Sequence, residues 1–205
     1  MSSQLVFPGV EFPKKNGRIA NDFYPTPTAL TESLLKIWKP DVDDVCFEPC
    51  AAYGAIADAF KSRGYPTKTS DLIEYHGLDY MGDATTDSPW LQCKNIDWTV
   101  TNPPFHCFNQ ILEKAWQYSQ KGVVMLLGIN TIEPTKERRE LLLNLSNHQR
   151  FLIPVNPRPR FRKDKKGTAG MTVAWFVWDK RFSWDSLDLM SPFQYMIDWQ
   201  NISNA

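Results

Sequence analysis

The stretch Asp97-Trp98-Thr99-Val100-Thr101-Asn102-Pro103-Pro104-Phe105 places an amide, two prolines and an aromatic ring directly after a short apolar run. The run predicts a strand over 97–101, which delivers Asn102 to the carboxyl edge of a sheet. Proline has a fixed φ and no N–H, so the carbonyl groups of this loop can be held in place as acceptors for a planar amino group. Phe105 can stack on a flat ring. The alternative is a Pro-Pro loop that only ends a strand.

Working outward from this stretch, strands alternate with helices. Strands are predicted over 44–48, near 66–71 and 79–82, over 97–101 and 123–127, and over 151–155 and 172–178. Helices are predicted from Thr26-Pro27 onward, over 54–63, about 107–120 and 135–146. This order predicts an α/β fold with a mostly parallel sheet covered on both faces. The last two strands have no helix between them, so we expect a C-terminal hairpin with one antiparallel strand.

In open α/β sheets, ligands bind outside the carboxyl ends of the strands. Four residues follow such predicted ends, namely Gly54, Asp71, Asp83 and Asn102. The topology alone therefore predicts that they converge on one site.

Length and composition favour a single globular domain. The chain has 205 residues, a net charge of zero and 42% hydrophobic residues, which argues against a generally basic surface. Its four Cys form no CxxC pair and its three His are scattered, so we predict no metal site. We see no signal peptide or transmembrane span, and expect a reduced protein in the cytoplasm, or in the host cytoplasm if phage-encoded.

Three regions are predicted along the chain. Residues 1–20 are expected to form a flexible N-terminal arm. Residues 21–180 form the domain. Residues 181–205 are too apolar for a free linker, and we expect this tail to dock on the body or on a partner chain.

The order of motifs resembles the S-adenosylmethionine-dependent DNA adenine-N6 methyltransferases of phages and bacteria. The motifs are Asp22-Phe23-Tyr24-Pro25-Thr26-Pro27, then Phe47-Glu48-Pro49-Cys50-Ala51-Ala52-Tyr53-Gly54, Ser70-Asp71-Leu72, Asp83 and finally Asn102-Pro103-Pro104-Phe105. The resemblance covers roughly Phe23 to Trp178. It implies a Rossmann-like class I methyltransferase fold with a seven-stranded sheet, and S-adenosyl-L-methionine as cofactor.

The resemblance also implies the cofactor site. Its residues would be Tyr24, Pro25, Thr26, Pro27, Glu48, Pro49, Cys50, Ala51, Gly54, Asp71, Leu72, Asp83 and Asn102. The carboxylate of Asp71 can accept from both ribose hydroxyls, although Asp also caps helices. Asp83 is placed to accept from the adenine amine, or is a turn residue. Glu48 either supports the turn or touches the cofactor's amino group.

The turn departs from the family pattern at two positions. Ala52 stands where the family normally has Gly, and Tyr53 where it has a small polar residue. An Ala in a left-handed or crowded position costs about 1 kcal/mol and adds a methyl group near the ligand. Weakened cofactor binding is therefore one expectation.

The implied chemistry is direct methyl transfer to an adenine N6 amino group, with Asn102, Pro103, Pro104 and Phe105 as the catalytic loop. The Asn102 side-chain oxygen and the Pro103 carbonyl oxygen would accept from the amino group, and Phe105 would stack on a flipped base. Two alternatives remain open. One is an RNA adenine-N6 methyltransferase, and the other is a catalytically degenerate nucleic-acid-binding protein with the same fold.

A basic segment follows the catalytic motif. It reads Arg158-Pro159-Arg160-Phe161-Arg162-Lys163-Asp164-Lys165-Lys166. Its cations predict phosphate contacts and Phe161 could stack or wedge at a base step, so DNA, or RNA, is the predicted partner. The alternative is a solvated hairpin tip. The segment is short, which predicts short or relaxed sequence specificity for a monomer or homodimer.

Overall fold

The computed structural model describes residues 26–75, 77–133, 135, 138–159 and 172–191, together with the backbone pairing of two short N-terminal strands. These strands, β1 (Lys14–Lys15) and β2 (Arg18–Ile19), form an antiparallel pair. The remaining strands are β3 (Cys46–Glu48), β4 (Thr67–Asp71), β5 (Tyr80–Met81), β6 (Trp98–Thr101), β7 (Gly122–Gly128), β8 (Gln149–Pro154) and β9 (Val173–Asp179). The helices are α1 (Thr28–Ile37), α2 (Ala55–Lys61), α3 (Ser88–Gln92), α4 (Phe108–Tyr118) and α5 (Arg139–Ser146).

Seven strands form one sheet in the order β5-β4-β3-β6-β7-β9-β8. Strands β3 to β7 are parallel to one another, and β9 is antiparallel to both β7 and β8. The predicted fold class is therefore confirmed, including the C-terminal hairpin. The chain leaves β3 for β4 and β5 on one side and returns to β6 on the other side, so the carboxyl ends of β3 and β6 flank a switch point where such sheets bind ligands.

The central strands are apolar along their whole length because helices cover both faces of the sheet. All seven residues of β7 are buried, and their side chains alternate between two core clusters. Val123, Met125 and Leu127 belong to the cluster on one face. Val124 and Leu126 belong to the cluster on the other. This alternation follows from the two-residue period of a strand.

A buried carboxylate ties together the amino ends of the parallel strands. Asp44 Oδ2 accepts from Trp98 Nε1 at 2.9 Å and from the Asp41 backbone N–H at 3.0 Å. Asp44 Oδ1 accepts a short hydrogen bond from Lys121 Nζ. These three side chains lie at or just before the starts of β3, β7 and β6. The group therefore stabilises the amino edge of the parallel strands, opposite the edge where such sheets bind ligands.

The structure differs from the sequence expectations in detail. Helix α4 ends at Tyr118 and not near 120, because Ser119 is extended and its N–H caps the Ala115 carbonyl at 3.0 Å. Helix α5 is described from Arg139, four residues after the predicted start. Helix α3 was not predicted, because it has only five residues, with Pro89 in its first turn.

The described part of the C-terminal tail lies against the body. Trp184 Nε1 donates to the Gln149 carbonyl at 3.0 Å, and Ser191 Oγ donates to the Ser146 carbonyl at 2.9 Å. Residues beyond 191 lie outside the described range, so docking of the whole tail stays a prediction. No helix in the described ranges is long and apolar enough to cross a membrane.

Candidate active site at the carboxyl edge of the sheet

A cavity of about 340 Å³ opens where β3, β4 and β6 end. Seven of the predicted catalytic and cofactor-binding residues line it, namely Pro49, Cys50, Asp71, Leu72, Asp83, Asn102 and Pro104. Seven described ones do not, namely Thr26, Pro27, Glu48, Ala51, Gly54, Pro103 and Phe105. Tyr24 and Pro25 lie outside the described residues. Of the four residues that the topology predicts to converge, Asp71, Asp83 and Asn102 line this cavity and Gly54 does not.

Asn102 directly follows β6, and its amide group is oriented by a residue distant in sequence. Asn102 Nδ2 donates to Thr26 Oγ1 at 3.0 Å, and Thr26 is buried just ahead of α1. Because Nδ2 is directed toward Thr26, the side-chain oxygen lies on the other side of the planar amide. Thr26 therefore positions Asn102, although Thr26 itself does not line the cavity.

The rest of the Asn-Pro-Pro-Phe loop is fixed by packing. Pro103 is buried, and Pro104 lines the cavity. Phe105 is half-buried against the core cluster that contains Phe108 and Ile111. The stacking of Phe105 on a substrate ring stays a prediction.

Asp71 ends β4, and both of its carboxylate oxygens accept backbone hydrogen bonds. Oδ2 accepts from the Ala52 N–H at 2.9 Å and Oδ1 from the Ile73 N–H at 3.0 Å. Burial raises the pKa of this carboxyl group, and the backbone hydrogen bonds partly offset the rise. Asp71 therefore connects the β3–α2 turn to the β4–β5 loop across the wall of the cavity.

The β3–α2 turn contains two residues with left-handed backbone conformation. Gly54 has φ 79° and Ala52 has φ 48°. Ala52 lines the cavity at the position where the family pattern has Gly. The Gly54 N–H donates to the Ala51 carbonyl at 2.7 Å, so Gly54 closes the turn without lining the cavity.

Glu48 lies behind the turn, where 3% of its surface is exposed. Its Oε2 accepts from the Ala57 N–H in the first turn of α2 at 2.8 Å. Burial raises the pKa of the carboxyl group well above its ordinary value, and the nearby charge of Asp71 adds to the rise. Of the two expected roles, this geometry supports the turn, and a contact with the cofactor stays a prediction.

Asp83 and Leu72 line the cavity from two different loops, which follow β5 and β4. Asp83 Oδ1 accepts from the backbone N–H of Thr85 at 2.9 Å and from its hydroxyl at 2.7 Å, so the residue does form the turn considered as an alternative. Asp83 also lines the cavity, and the two roles coexist. Leu72 has 57% of its surface exposed.

Sequence reasoning missed several lining residues. Ile73 and Tyr75 come from the β4–β5 loop, and His106 and Cys107 directly follow the Asn-Pro-Pro-Phe loop. Tyr75 packs edge-on against the ring of Tyr53, with centroids 4.9 Å apart. Burial, helped by the charge of Asp71, raises the pKa of Tyr75 to about 12. Tyr53, which stands where the resembled methyltransferases have a small polar residue, therefore forms an aromatic pair with Tyr75 beside the cavity. In the sequence, only the position of Tyr75 shortly after Asp71 could have suggested this pair.

The described lining residues give the cavity an acidic character. They include the carboxylates of Asp71 and Asp83 and contain no Lys or Arg. No three His, Cys, Asp or Glu side chains come together as possible metal ligands in the part of the chain that the structure describes. A positively charged organic ligand suits such a cavity.

Most of the basic segment lies outside the described residues, namely Arg160, Phe161, Arg162, Lys163, Lys165 and Lys166. Arg158 is described and exposed. The segment connects the end of β8 with the start of β9, and both points lie at the carboxyl edge because β8 runs parallel to β7. The Ile129 N–H donates to the Thr172 carbonyl at 2.9 Å, which ties the end of this connection to the segment after β7.

Comparisons with known proteins identify the fold. No protein-family model matches the sequence, and no curated protein is significantly similar to it. The EcoKI M protein of a type I restriction enzyme superposes with a TM-score of 0.60 at 12% identity, covering 76% of this chain and 44% of that one. TrmN from Thermus thermophilus gives 0.53 at 19% identity, covering 75% and 48%. A putative hemolysin from Lactococcus lactis gives 0.54 at 14% identity, covering 77% and 88%.

The three proteins differ in their names, and each superposes on about three quarters of this chain. This chain spans less than half the length of the first two, at 44% and 48%. At identities between 12% and 19%, these likenesses establish the fold and leave the substrate open. The chain has the Rossmann-like fold of the class I methyltransferases.

Proposed function

We propose that this protein is a site-specific DNA methyltransferase that transfers a methyl group from S-adenosyl-L-methionine to the N6 amino group of adenine. The observation that carries the proposal is the placement of Asn102 and Pro104 on the same cavity as Asp71 and Asp83. The fold alone would fit many substrates. The Asn-Pro-Pro-Phe loop at the end of β6 supports an amino group as the methyl acceptor.

The residues of the cavity fit the cofactor. Its sulfonium group is a cation, and the described lining supplies two carboxylates and no basic side chain. Asp71 would accept from the ribose hydroxyls, and the exposed Leu72 offers an apolar surface to the adenine. Asp83 and the Pro49–Cys50 wall would complete the site. When bound, the cofactor supplies an electrophilic methyl group.

The catalytic loop would activate the amino group by orientation. An exocyclic amine on an aromatic ring is a poor nucleophile, because its lone pair is delocalised into the ring. Acceptors for both N–H bonds favour the pyramidal form of the nitrogen, and the Asn102 side-chain oxygen and the Pro103 carbonyl oxygen would fill this role. The hydrogen bond from Asn102 to Thr26 holds the amide in one orientation. Positioning of this kind can contribute several kcal/mol to catalysis.

The target base must leave the duplex to reach the cavity, since its N6 atom is not accessible within the stack. Phe105 would stack on the extruded base. The basic segment from Arg158 to Lys166 would contact the phosphates. Support comes from the flanking strands, because the end of β8 and the start of β9 lie at the same edge of the sheet as the cavity.

The test is transfer of a tritiated methyl group. The protein is incubated with labelled S-adenosylmethionine and unmethylated genomic DNA, and the DNA is digested to nucleosides. We expect the label in N6-methyl-2′-deoxyadenosine. Label in structured RNA but not in DNA would replace DNA by RNA as the substrate.

A catalytically degenerate protein is the second candidate, and the left-handed Ala52 on the cavity wall favours it. Calorimetry separates the two functions. Micromolar binding of S-adenosylmethionine would rule out the degenerate protein. Absence of binding up to millimolar concentrations, with no label in DNA or RNA, would rule out the enzyme.

A further inference from the structure

Arg138 is held in one position above the core of the carboxyl edge. Its guanidinium carbon lies 5.0 Å from the ring centroid of Phe108, the first residue of α4. Its Nη1 donates to the carbonyl groups of Asn130, Thr131 and Glu133 at 3.4, 3.4 and 3.2 Å. These carbonyls belong to the 3-10 turn and the residue that follow β7. The side chain therefore has a fixed orientation, which lowers the entropy cost of binding a ligand.

The positive charge of Arg138 is not neutralised by any carboxylate in the described part of the chain. The carbonyl oxygens fix its position but carry no net charge. Its Nε is buried and has no hydrogen-bond acceptor among the described residues. By contrast, Arg150 also lies over aromatic rings, Phe151 and Phe182, but is paired with Asp179 at 3.0 Å.

The location of Arg138 links it to the catalytic loop. Phe108, on which it stacks, directly follows Cys107, a lining residue of the cavity. The segment that carries Arg138 leaves the carboxyl end of β7, and Ile129 in that segment is hydrogen-bonded to Thr172 near the end of the basic connection. The guanidinium thus lies at the same edge of the sheet as the cavity, over the first residue of the helix that follows the Asn-Pro-Pro-Phe loop.

We propose that Arg138 binds a backbone phosphate of the DNA strand that carries the target base. Nη1 is engaged by the carbonyl groups and Nε is buried, so Nη2 is the nitrogen that offers a charge-assisted hydrogen bond to a phosphate oxygen. Because the guanidinium is already oriented, this bond would place the strand relative to the cavity. This inference rests on the proposed function for the identity of the partner. It adds a contact made by an ordered side chain, which would act together with the basic segment.

The test is DNA binding measured by fluorescence anisotropy with a labelled duplex at several salt concentrations. The variants are Arg138→Gln and Arg138→Lys, with Arg150→Gln as the matched control at the opposite end of the sheet. We expect Arg138→Gln to weaken binding about tenfold. We also expect it to reduce the slope of log K against log salt by about 0.9, as for one phosphate contact. Arg138→Lys should keep most of the slope, and Arg150→Gln should change neither quantity.

Other outcomes would overturn the inference. One is an Arg138→Gln variant whose affinity for DNA and whose salt slope are unchanged, even if the wild-type protein methylates DNA. Another is a wild-type protein that does not bind DNA. Equal loss of binding in Gln and Lys variants, together with lower melting temperatures, would assign Arg138 a structural role. If Arg138→Gln weakened binding to a structured RNA but not to the DNA duplex, the inference would also be overturned, and RNA would take the place of DNA as the partner. Cofactor binding and methyl labelling of the wild type test the proposed function separately, because both are measured with Arg138 intact and neither shows which side chain contacts the phosphate.

Discussion

Asp71 Oδ2 accepts a 2.9 Å hydrogen bond from the backbone N–H of Ala52, the residue that stands at φ 48° where the family pattern has glycine. A left-handed conformation costs a residue with a Cβ about 1–2 kcal/mol. The hydrogen bond compensates part of that cost and fixes the direction of the turn toward the cavity. The carboxylate expected to hold the cofactor's ribose thus also stabilises the unusual turn beside it.

Replacing Ala52 with glycine should relieve the backbone strain. Glycine is more flexible in the unfolded chain, which offsets about 0.4–1 kcal/mol of the gain. We expect Ala52→Gly to leave the free energy of unfolding unchanged or to raise it by up to about 1 kcal/mol. We also expect tighter binding of S-adenosylmethionine, because Ala52 lines the cavity and glycine lacks the methyl group. Urea denaturation and calorimetry measure the two effects.

The neighbouring Ala51 provides the control for this substitution. Ala51 is buried and is not among the positive-φ residues of the described chain. Ala51→Gly should therefore lower the free energy of unfolding by about 1 kcal/mol or more. If both glycine variants lose stability equally, the conformation of Ala52 is not strained.

The hydrogen bond between Thr26 and Asn102 predicts a separation of binding from catalysis. Thr26→Val removes the acceptor for Asn102 Nδ2 at nearly constant volume and should lower kcat by about 10- to 100-fold, the range expected for a misplaced catalytic group. Thr26→Ser keeps a hydroxyl and should recover most of the rate. Asn102→Ala should abolish transfer while the Kd for S-adenosylmethionine stays nearly unchanged. Single-turnover methylation of a DNA duplex measures the rates, and a Thr26→Ser variant as slow as Thr26→Val would contradict the proposed orientation.

Much of the fold could be predicted because the central strands are buried on both faces. The predicted strand over 123–127 lies within β7, and the one over 97–101 contains β6. Short elements with weak hydrophobic signals were harder to predict. Helix α3 has five residues with Leu91 64% exposed, so no apolar period marks it.

The site was predictable where strand ends determine it and unpredictable where contacts are distant in sequence. Asp71 and Asn102 come together because parallel strands end at the same edge. The contact between Thr26 and Asn102 joins residues 76 positions apart, and no local pattern indicates it. That no carboxylate among the described residues pairs with Arg138 is likewise visible only when its neighbours are known.

The buried Asp44 predicts a stability effect that leaves the site unchanged. Its side chain is 3% exposed, and Lys121 is the cation that neutralises it. Lys121→Met would leave a buried carboxylate without a cation and should lower the free energy of unfolding by about 3 kcal/mol. Adding Asp44→Asn should recover part of the loss. Because these residues lie at the amino ends of the strands, methyl-transfer kinetics below the unfolding transition should not change, and a fall in kcat would contradict this separation.

Glu48 predicts a specific pH dependence of stability. Burial raises its pKa in the folded state well above the ordinary value, so the folded protein binds a proton that the unfolded chain releases more readily. The stability due to this group is therefore fully present below its unfolded pKa and is lost as the pH rises through the raised value. Glu48→Gln keeps an acceptor for the Ala57 N–H and removes the titration.

The difference in free energy of unfolding between Glu48→Gln and wild type should thus shift in favour of the variant as the pH rises, with a slope of up to about 1.4 kcal/mol per pH unit. Urea denaturation at several pH values measures the difference, in which the contributions of Asp71 and the other carboxylates largely cancel. Parallel profiles for the two proteins would contradict the raised pKa. Unchanged affinity of the variant for S-adenosylmethionine would assign Glu48 to the turn, whereas a large loss of affinity would assign it to the cofactor's amino group.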